Sequence, residues 1–216
     1  MPPLVTYHWS LVTVLQKGVD ALAFLYAVLM FPVPLFWLIL HPAIHFWRRL
    51  GNRSYWVALP LWIASGTALV LLRQRIFAER ISRNPETWIL GSVVVLLAFR
   101  MDRRTRREFG WRRLVGLSEV NPADPRAGVV SQGIYSYVRH PRYLQYMLMF
   151  WGLALLTGTK GFFLLAILTV LLYLIVVPLE ERELREQYGP PYEAYARQVP
   201  RFVPRLRRRM KPQVSS

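Results

Sequence analysis

The sequence predicts an all-α, polytopic membrane protein with about five transmembrane helices. The span count rests on three observations. Apolar residues form long unbroken blocks, hydrophobic residues make up 54% of the 216, and basic residues crowd into alternate segments between the blocks. The spacing of a surface helix, with apolar positions three and four apart, is mostly absent.

The blocks are taken in chain order. The first runs from Val19 to Trp47 and is interrupted by Pro32, Pro34 and the pair His41-Pro42. Internal prolines remove a hydrogen bond and clash with the preceding turn, so this block reads as one kinked helix or as a shallow hairpin. The second runs from Tyr55 to Leu72, the third from Thr87 to Phe99, the fourth from Tyr143 to Gly158 and the fifth from Gly161 to Leu179. A bilayer core of about 30 Å needs about 20 helical residues. The third block is short and reads as a span with little tilt or as one extending through Met101. Buried helices of a soluble protein are the competing explanation, but one core of this size does not need five such segments.

The net charge of +16 follows the same division. The loop after the first span, the segment from Arg100 to Arg142 and the tail from Glu180 hold three, ten and nine basic residues. The intervening segments hold one, four and one, so five spans put 22 on one side and six on the other. The positive-inside rule then places the N-terminus outside and the C-terminus in the cytoplasm. A nucleic-acid surface is the alternative use of such charge. The bias is what cytoplasmic loops carry anyway, so no nucleic-acid partner is expected. The run Arg205–Lys211 suits anionic lipid headgroups instead. Residues 1–17 lack a small-residue cleavage site after an apolar stretch, so a cleavable leader is not expected. The chain has no cysteine, which excludes disulfides, thiolate metal sites and a cysteine nucleophile.

By texture the chain divides into an N-terminal transmembrane region, 1–101, and a second region, 102–216. The second comprises a polar cytoplasmic connection, 102–142, a transmembrane hairpin, 143–179, and a charged tail. The hairpin turns at Thr157-Gly158-Thr159-Lys160-Gly161. In the tail, Gly189 suits a helix C-cap and Pro190-Pro191 interrupts any helix.

The chemistry-bearing residues lie at the two ends of the hairpin. Gly133 permits a turn or a close backbone approach. Pro141 suits a first helical turn, so the fourth span starts there. Arg139 and His140 sit just before that start, with Tyr143 three residues beyond His140. Because the hairpin is antiparallel, Glu180 and Glu181 must lie near His140, Pro141 and Tyr143. Two uses of this cluster stay open on physical grounds: interfacial anchors with ordinary salt bridges, or a binding site for a charged ligand. The four histidines offer no ligand set and no metal is required. His41 and His45, four apart, read as packing or polar lining rather than as a metal pair.

The stretch from Gly133 through Tyr135, Arg139, His140 and Pro141 to Tyr143 resembles the G-x-Y-x-x-x-R-H-P-x-Y signature of the isoprenylcysteine carboxyl methyltransferase family. The broader group includes the phospholipid N-methyltransferases. Glu180-Glu181, Tyr188-Gly189, Tyr192, Tyr195, Val199-Pro200 and Pro204 resemble the ending of that family. The resemblance covers about a third of the chain. It implies S-adenosylmethionine as cofactor, in a cytoplasmic pocket over the last two spans, and a lipophilic acceptor entering from the bilayer. Gly133, Tyr135, His140, Pro141, Tyr143, Glu180 and Glu181 would bind the cofactor, with Arg139 and Glu181 serving the chemistry. The Gly-rich fingerprint of a Rossmann domain is absent, as this family implies. Gln145 stands where the family usually has glycine, and the stretch 173–179 lacks the charge that eukaryotic carboxyl methyltransferases place before the acidic pair. A sterol-type membrane reductase using NADPH, and a non-enzymatic scaffold or sensor, are the alternative functions.

Overall fold

The computed structural model describes residues 4–81, 83–109 and 128–204. The described residues contain nine α-helices and no named strand. They are α1 (Leu4–Met30), α2 (Pro32–Leu40), α3 (Ile44–Leu50), α4 (Ser54–Leu71), α5 (Arg73–Ala78), α6 (Pro85–Phe109), α7 (Pro141–Thr157), α8 (Lys160–Tyr188) and α9 (Pro190–Gln198). The basic run Arg205–Lys211 and the middle of the polar connection, 110–127, lie outside the described residues.

The first apolar block is a bent helical run, not a hairpin. Phe31, between α1 and α2, keeps helical dihedrals and its N–H bonds to the Ala27 carbonyl at 2.9 Å. Pro32 and Pro34 fall in the first turn of α2, where a missing N–H costs little. Residues Leu11–Leu50 form one 40-residue apolar run, long enough to cross a membrane. Helix α8 is the other described helix that meets this length and composition. The third block lies within α6, which continues to Phe109, so its short apolar part belongs to a longer helix.

Helices α6 and α7 pack face to face through glycines. A Cβ on Gly91 would come within 3.0 Å of the Gly152 carbonyl, and one on Gly152 within 3.0 Å of the Val95 amide nitrogen. Small residues let two backbones approach this closely, which suits helix pairing where no water drives association. Gly158 then ends α7 in the left-handed conformation (φ 64°), and Thr159 caps α8 by accepting from the Phe162 N–H. Helix α5 lies on this turn: a Cβ on Gly161 would overlap the Ile76 backbone at 2.6 Å.

Polar contacts gather at two opposite ends of the helices. At one end, Asp20 of α1 pairs with Arg80 and Arg83 at 2.8 and 2.7 Å, and the Lys160 N–H bonds to the Glu79 carbonyl. At the other end, His41 meets Glu183, Arg48 meets Gln187, and Arg139 meets Glu181. From Lys160 to Glu181 along α8 the separation is about 30 Å at ~1.5 Å per residue, the thickness of a bilayer core. Between these ends the helix sides expose large apolar residues, among them Leu22, Leu25, Ile63, Leu71, Ile89, Leu96, Leu171 and Ile175. A belt of this kind suits contact with lipid rather than water.

Candidate active site

The hairpin brings its ends together at the second polar face. Glu181, with no exposed surface, is the centre of the arrangement. Its Oε1 accepts from Arg139 Nε and Nη2 at 3.0 and 2.6 Å and lies 3.1 Å from His140 Nε2. Its Oε2 accepts from Arg201 Nη2 at 2.8 Å and Arg185 Nη2 at 3.3 Å. Burial by itself would raise the Glu181 pKa. The hydrogen bonds from His140, Arg201 and Arg139 overcome that, and the carboxyl sits well below the usual carboxylate range.

The same contacts tie the tail onto the start of α7. Arg139 Nη1 donates to the Ala196 and Val199 carbonyls. The N–H groups of Arg139 and His140 bond to the carbonyls of Pro200 and Arg201 at 2.8 and 3.1 Å. The Tyr195 hydroxyl donates to the Tyr135 carbonyl at 2.8 Å, so α9 also holds the Gly133–Ser136 turn. Tyr192, Tyr195 and Val199 form the small apolar core beneath this strap. Gly189 ends α8 with φ 57°, and Pro190 opens α9 at once, which turns the tail back across the site.

His140 sits between the two carboxylates of the pair. Its Nδ1 lies 3.4 Å from Glu180 Oε2, and its Nε2 faces Glu181. Burial alone would lower its pKa, but the two carboxylates prevail and raise it. A carboxylate at each nitrogen favours the protonated ring. Its plane stacks on Tyr143 (5.7 Å, 7°), and Tyr143 stacks on Tyr173 of α8 (4.5 Å).

Glu180 differs from its neighbour. Its Oε2 is buried and lacks a hydrogen bond of good geometry, with His140 Nδ1 3.4 Å away. Desolvation raises its pKa, but the interaction with His140 leads the opposing causes and the net shift is downward. An ionised carboxylate with one unsatisfied buried oxygen is a place for a cationic or hydrogen-donating ligand. Gly133 has φ 56°, and Glu108 at the end of α6 lies where its Cβ would be, accepting from the Ile134 N–H at 2.7 Å. The structure thus brings His140, Pro141, Tyr143, Glu180 and Glu181 into one cluster and places Gly133 and Tyr135 on the adjoining turn. Arg139 has four of its donor contacts on Glu181 and the tail. It therefore clamps the tail instead of facing an open cavity.

Four further residues were not legible from the sequence as parts of this site. Arg185 carried a signal, since it stands four residues after Glu181 on a helix. Arg201 follows Val199-Pro200, but its partner lies 20 residues away. The N-terminal half supplies Trp37 and His41. His41 Nδ1 lies 2.9 Å from Glu183 Oε1, and its ring stacks on Trp37 at 5.4 Å. The 3-10 turn at His41–Ala43 breaks the helical register, so His41 is buried while His45 is exposed. Gln145 is buried in α7, where it occupies space that glycine would leave open.

The phospholipid methyltransferase family model matches residues 89–191, the stretch from α6 to the start of α9. A methanethiol S-methyltransferase of Crocosphaera subtropica is 40% identical over 70 residues, 32% of this chain and 27% of that protein. Methanethiol S-methyltransferase 2 of Bradyrhizobium diazoefficiens is 38% identical over 73 residues, 34% of this chain and 27% of the relative. A methanethiol S-methyltransferase of Pseudomonas deceptionensis is 33% identical over 93 residues, 43% and 35% of the two chains. The match therefore spans about a quarter to a third of these relatives. No solved structure matches the chain. The glycine-packed helix pair, the hairpin and the paired carboxylates at its mouth all fall within residues 89–191, the stretch over which the chain matches the phospholipid methyltransferase family model.

Proposed function

We infer that the protein is a membrane methyltransferase that moves a methyl group from S-adenosylmethionine to an amphipathic acceptor held in the bilayer. The observation that carries this reading is the unequal carboxylate pair beside His140. Glu181 is saturated by arginines and holds the site together, whereas Glu180 keeps a buried oxygen without a hydrogen bond. When bound, the cofactor supplies a methyl group activated by a sulfonium. Its positive charges suit Glu180, the stacked His140 and Tyr143 rings offer a planar wall, and Gly133 lets the Glu108 carboxylate close on the adjoining turn. Pro141 sets the start of α7 beside it, and Tyr135 lies buried under the tail. Arg139 and Glu181 act by fixing the tail over this cluster, which excludes water from the transfer.

The acceptor has two readings. A lipid or prenyl-type acceptor fits the apolar belt around the site. A small thiol fits the activity for which the relatives are named, methanethiol S-methylation. The chain runs five times between the two polar faces, which supports five spans. The charge count supports an outside N-terminus and a cytoplasmic C-terminus. A reporter active only in the cytoplasm is expected to be active after Ser216 and silent at residue 1; the reverse pattern overturns this topology.

The function itself is tested with detergent-purified protein. Labelled S-adenosylmethionine is expected to bind and NADPH is not. The label should then pass to a membrane lipid extract or to methanethiol. NADPH binding without S-adenosylmethionine binding would favour a sterol-type reductase. Binding of neither would favour a scaffold.

A further inference from the structure

We propose that Arg142 is an acceptor-binding residue and that the acceptor is held and methylated as a thiolate anion. The proposal rests on the methyl-transfer reading above. Arg142 stands in the first turn of α7, at the variable position of the motif, and does not join the arginines on Glu181. Its guanidinium lies over Trp37 at 5.5 Å and Tyr146 at 5.9 Å from the ring centres. Among the described residues no carboxylate lies within ion-pair distance of it. A partly buried cation without a counter-ion is costly, and the remedy is an anion.

Two further atoms ask for the same ligand. The Trp37 indole nitrogen and the Tyr173 hydroxyl are buried and have no hydrogen-bond partner. Trp37 is the ring under Arg142, and Tyr173 stacks on Tyr146 at 6.2 Å. A buried donor left unmade is expensive, so two beside one cation mark a place for an acceptor atom. The other charged or titratable groups near Arg142 are Arg106 of α6, Tyr135, Tyr143 and Glu180. Of these, only Glu180 is a carboxylate, and it faces His140 Nδ1 at 3.4 Å and forms no ion pair with Arg142. The guanidinium lies against aromatic rings and not edge-on to a carboxylate. Aromatic walls suit a polarizable sulfur.

The thiol first gives up its proton to solvent, with the nearby Arg142 cation favouring the anion, and the step then balances. A thiolate lone pair forms the new bond to the methyl carbon while the bond from that carbon to the sulfonium breaks. The electron pair stays on the cofactor sulfur, and the acceptor leaves as a neutral thioether. Arg142 favours the charged acceptor before transfer and releases it when the charge is gone.

The test uses full-length protein in detergent with 1-hexanethiol and labelled S-adenosylmethionine. Arg142→Met is expected to lose about tenfold to a hundredfold in kcat/KM at pH 7, the worth of a charged hydrogen bond. At saturating thiol, where kcat reports the bound complex, the midpoint of its pH profile should rise by about one unit toward that of the free thiol. Cofactor affinity should stay within about twofold, and Arg142→Lys should restore part of the profile. An equal loss at every pH overturns the proposal. A second readout does not need turnover: hexanesulfonate binding, followed by tryptophan fluorescence, should weaken in Arg142→Met. Equal binding to both proteins overturns the proposal. Weakened binding with no thiol methylated by the wild type keeps the anion site and removes the methyl-transfer reading. If Arg142→Met instead loses only phosphatidylglycerol retention in nanodiscs while the thiol profile is unmoved, the cation serves a lipid phosphate and the proposal fails.

Discussion

Glu181→Gln is expected to cause the largest loss of any single substitution at the site. The glutamate accepts from Arg139, Arg185 and Arg201 and faces His140, all from a position with no exposed surface. Removing one partner of a buried ion pair leaves the others uncompensated, a cost of about 3–5 kcal/mol. Arg185 and Arg201 are half-exposed, so most of that loss comes from Arg139 and His140. Thermal unfolding in detergent should fall sharply, and S-adenosylmethionine binding should weaken at least a hundredfold, the equivalent of about 2.7 kcal/mol. The pH dependence has a definite sign. The folded pKa of Glu181 is depressed, so its stabilisation is present above the unfolded value of about 4.3 and is lost as pH falls through the folded value. The wild type should therefore lose stability in acid, and the glutamine variant should lack that component. Unchanged unfolding and unchanged cofactor affinity would remove Glu181 from the centre of the site.

Gly152→Leu is expected to be the most damaging substitution away from the site. A Cβ at Gly152 would stand 2.7 Å from Val95 Cγ2 and 3.0 Å from the Val95 nitrogen, and the backbone atom cannot step aside. A leucine adds three further carbons to that contact. Overpacking costs about 1–3 kcal/mol for modest insertions and more where backbone must move. The variant should fail to accumulate in membranes, or should unfold far below the wild type. Gly18→Ala is the control: nothing lies within 4 Å of its Cβ, and alanine in a helix is favoured over glycine by about 0.5–1 kcal/mol. Normal accumulation of Gly152→Leu would mean that α6 and α7 do not pack as described.

The sequence by itself determined the apolar helices, the hairpin and the residues at its mouth. Apolar length is a local property, and a proline at a helix start, a glycine at its end and a five-residue turn act through adjacent residues only. An antiparallel pair must bring its ends together, so the proximity of His140 and Glu181 followed from the chain order. Only the tertiary structure decided how the two glutamates divide their roles. Glu180 and Glu181 are neighbours of the same type, and no local rule says which one faces three arginines. That outcome depends on where α9 and residues 199–201 return, and Arg201 must cross 20 residues of chain to reach its partner. The tertiary structure also turned Arg139 toward the tail and brought Trp37 and His41 to the site from more than 100 residues away. Contacts between distant segments are set by the packing of whole helices, and packing leaves no periodic mark in the sequence.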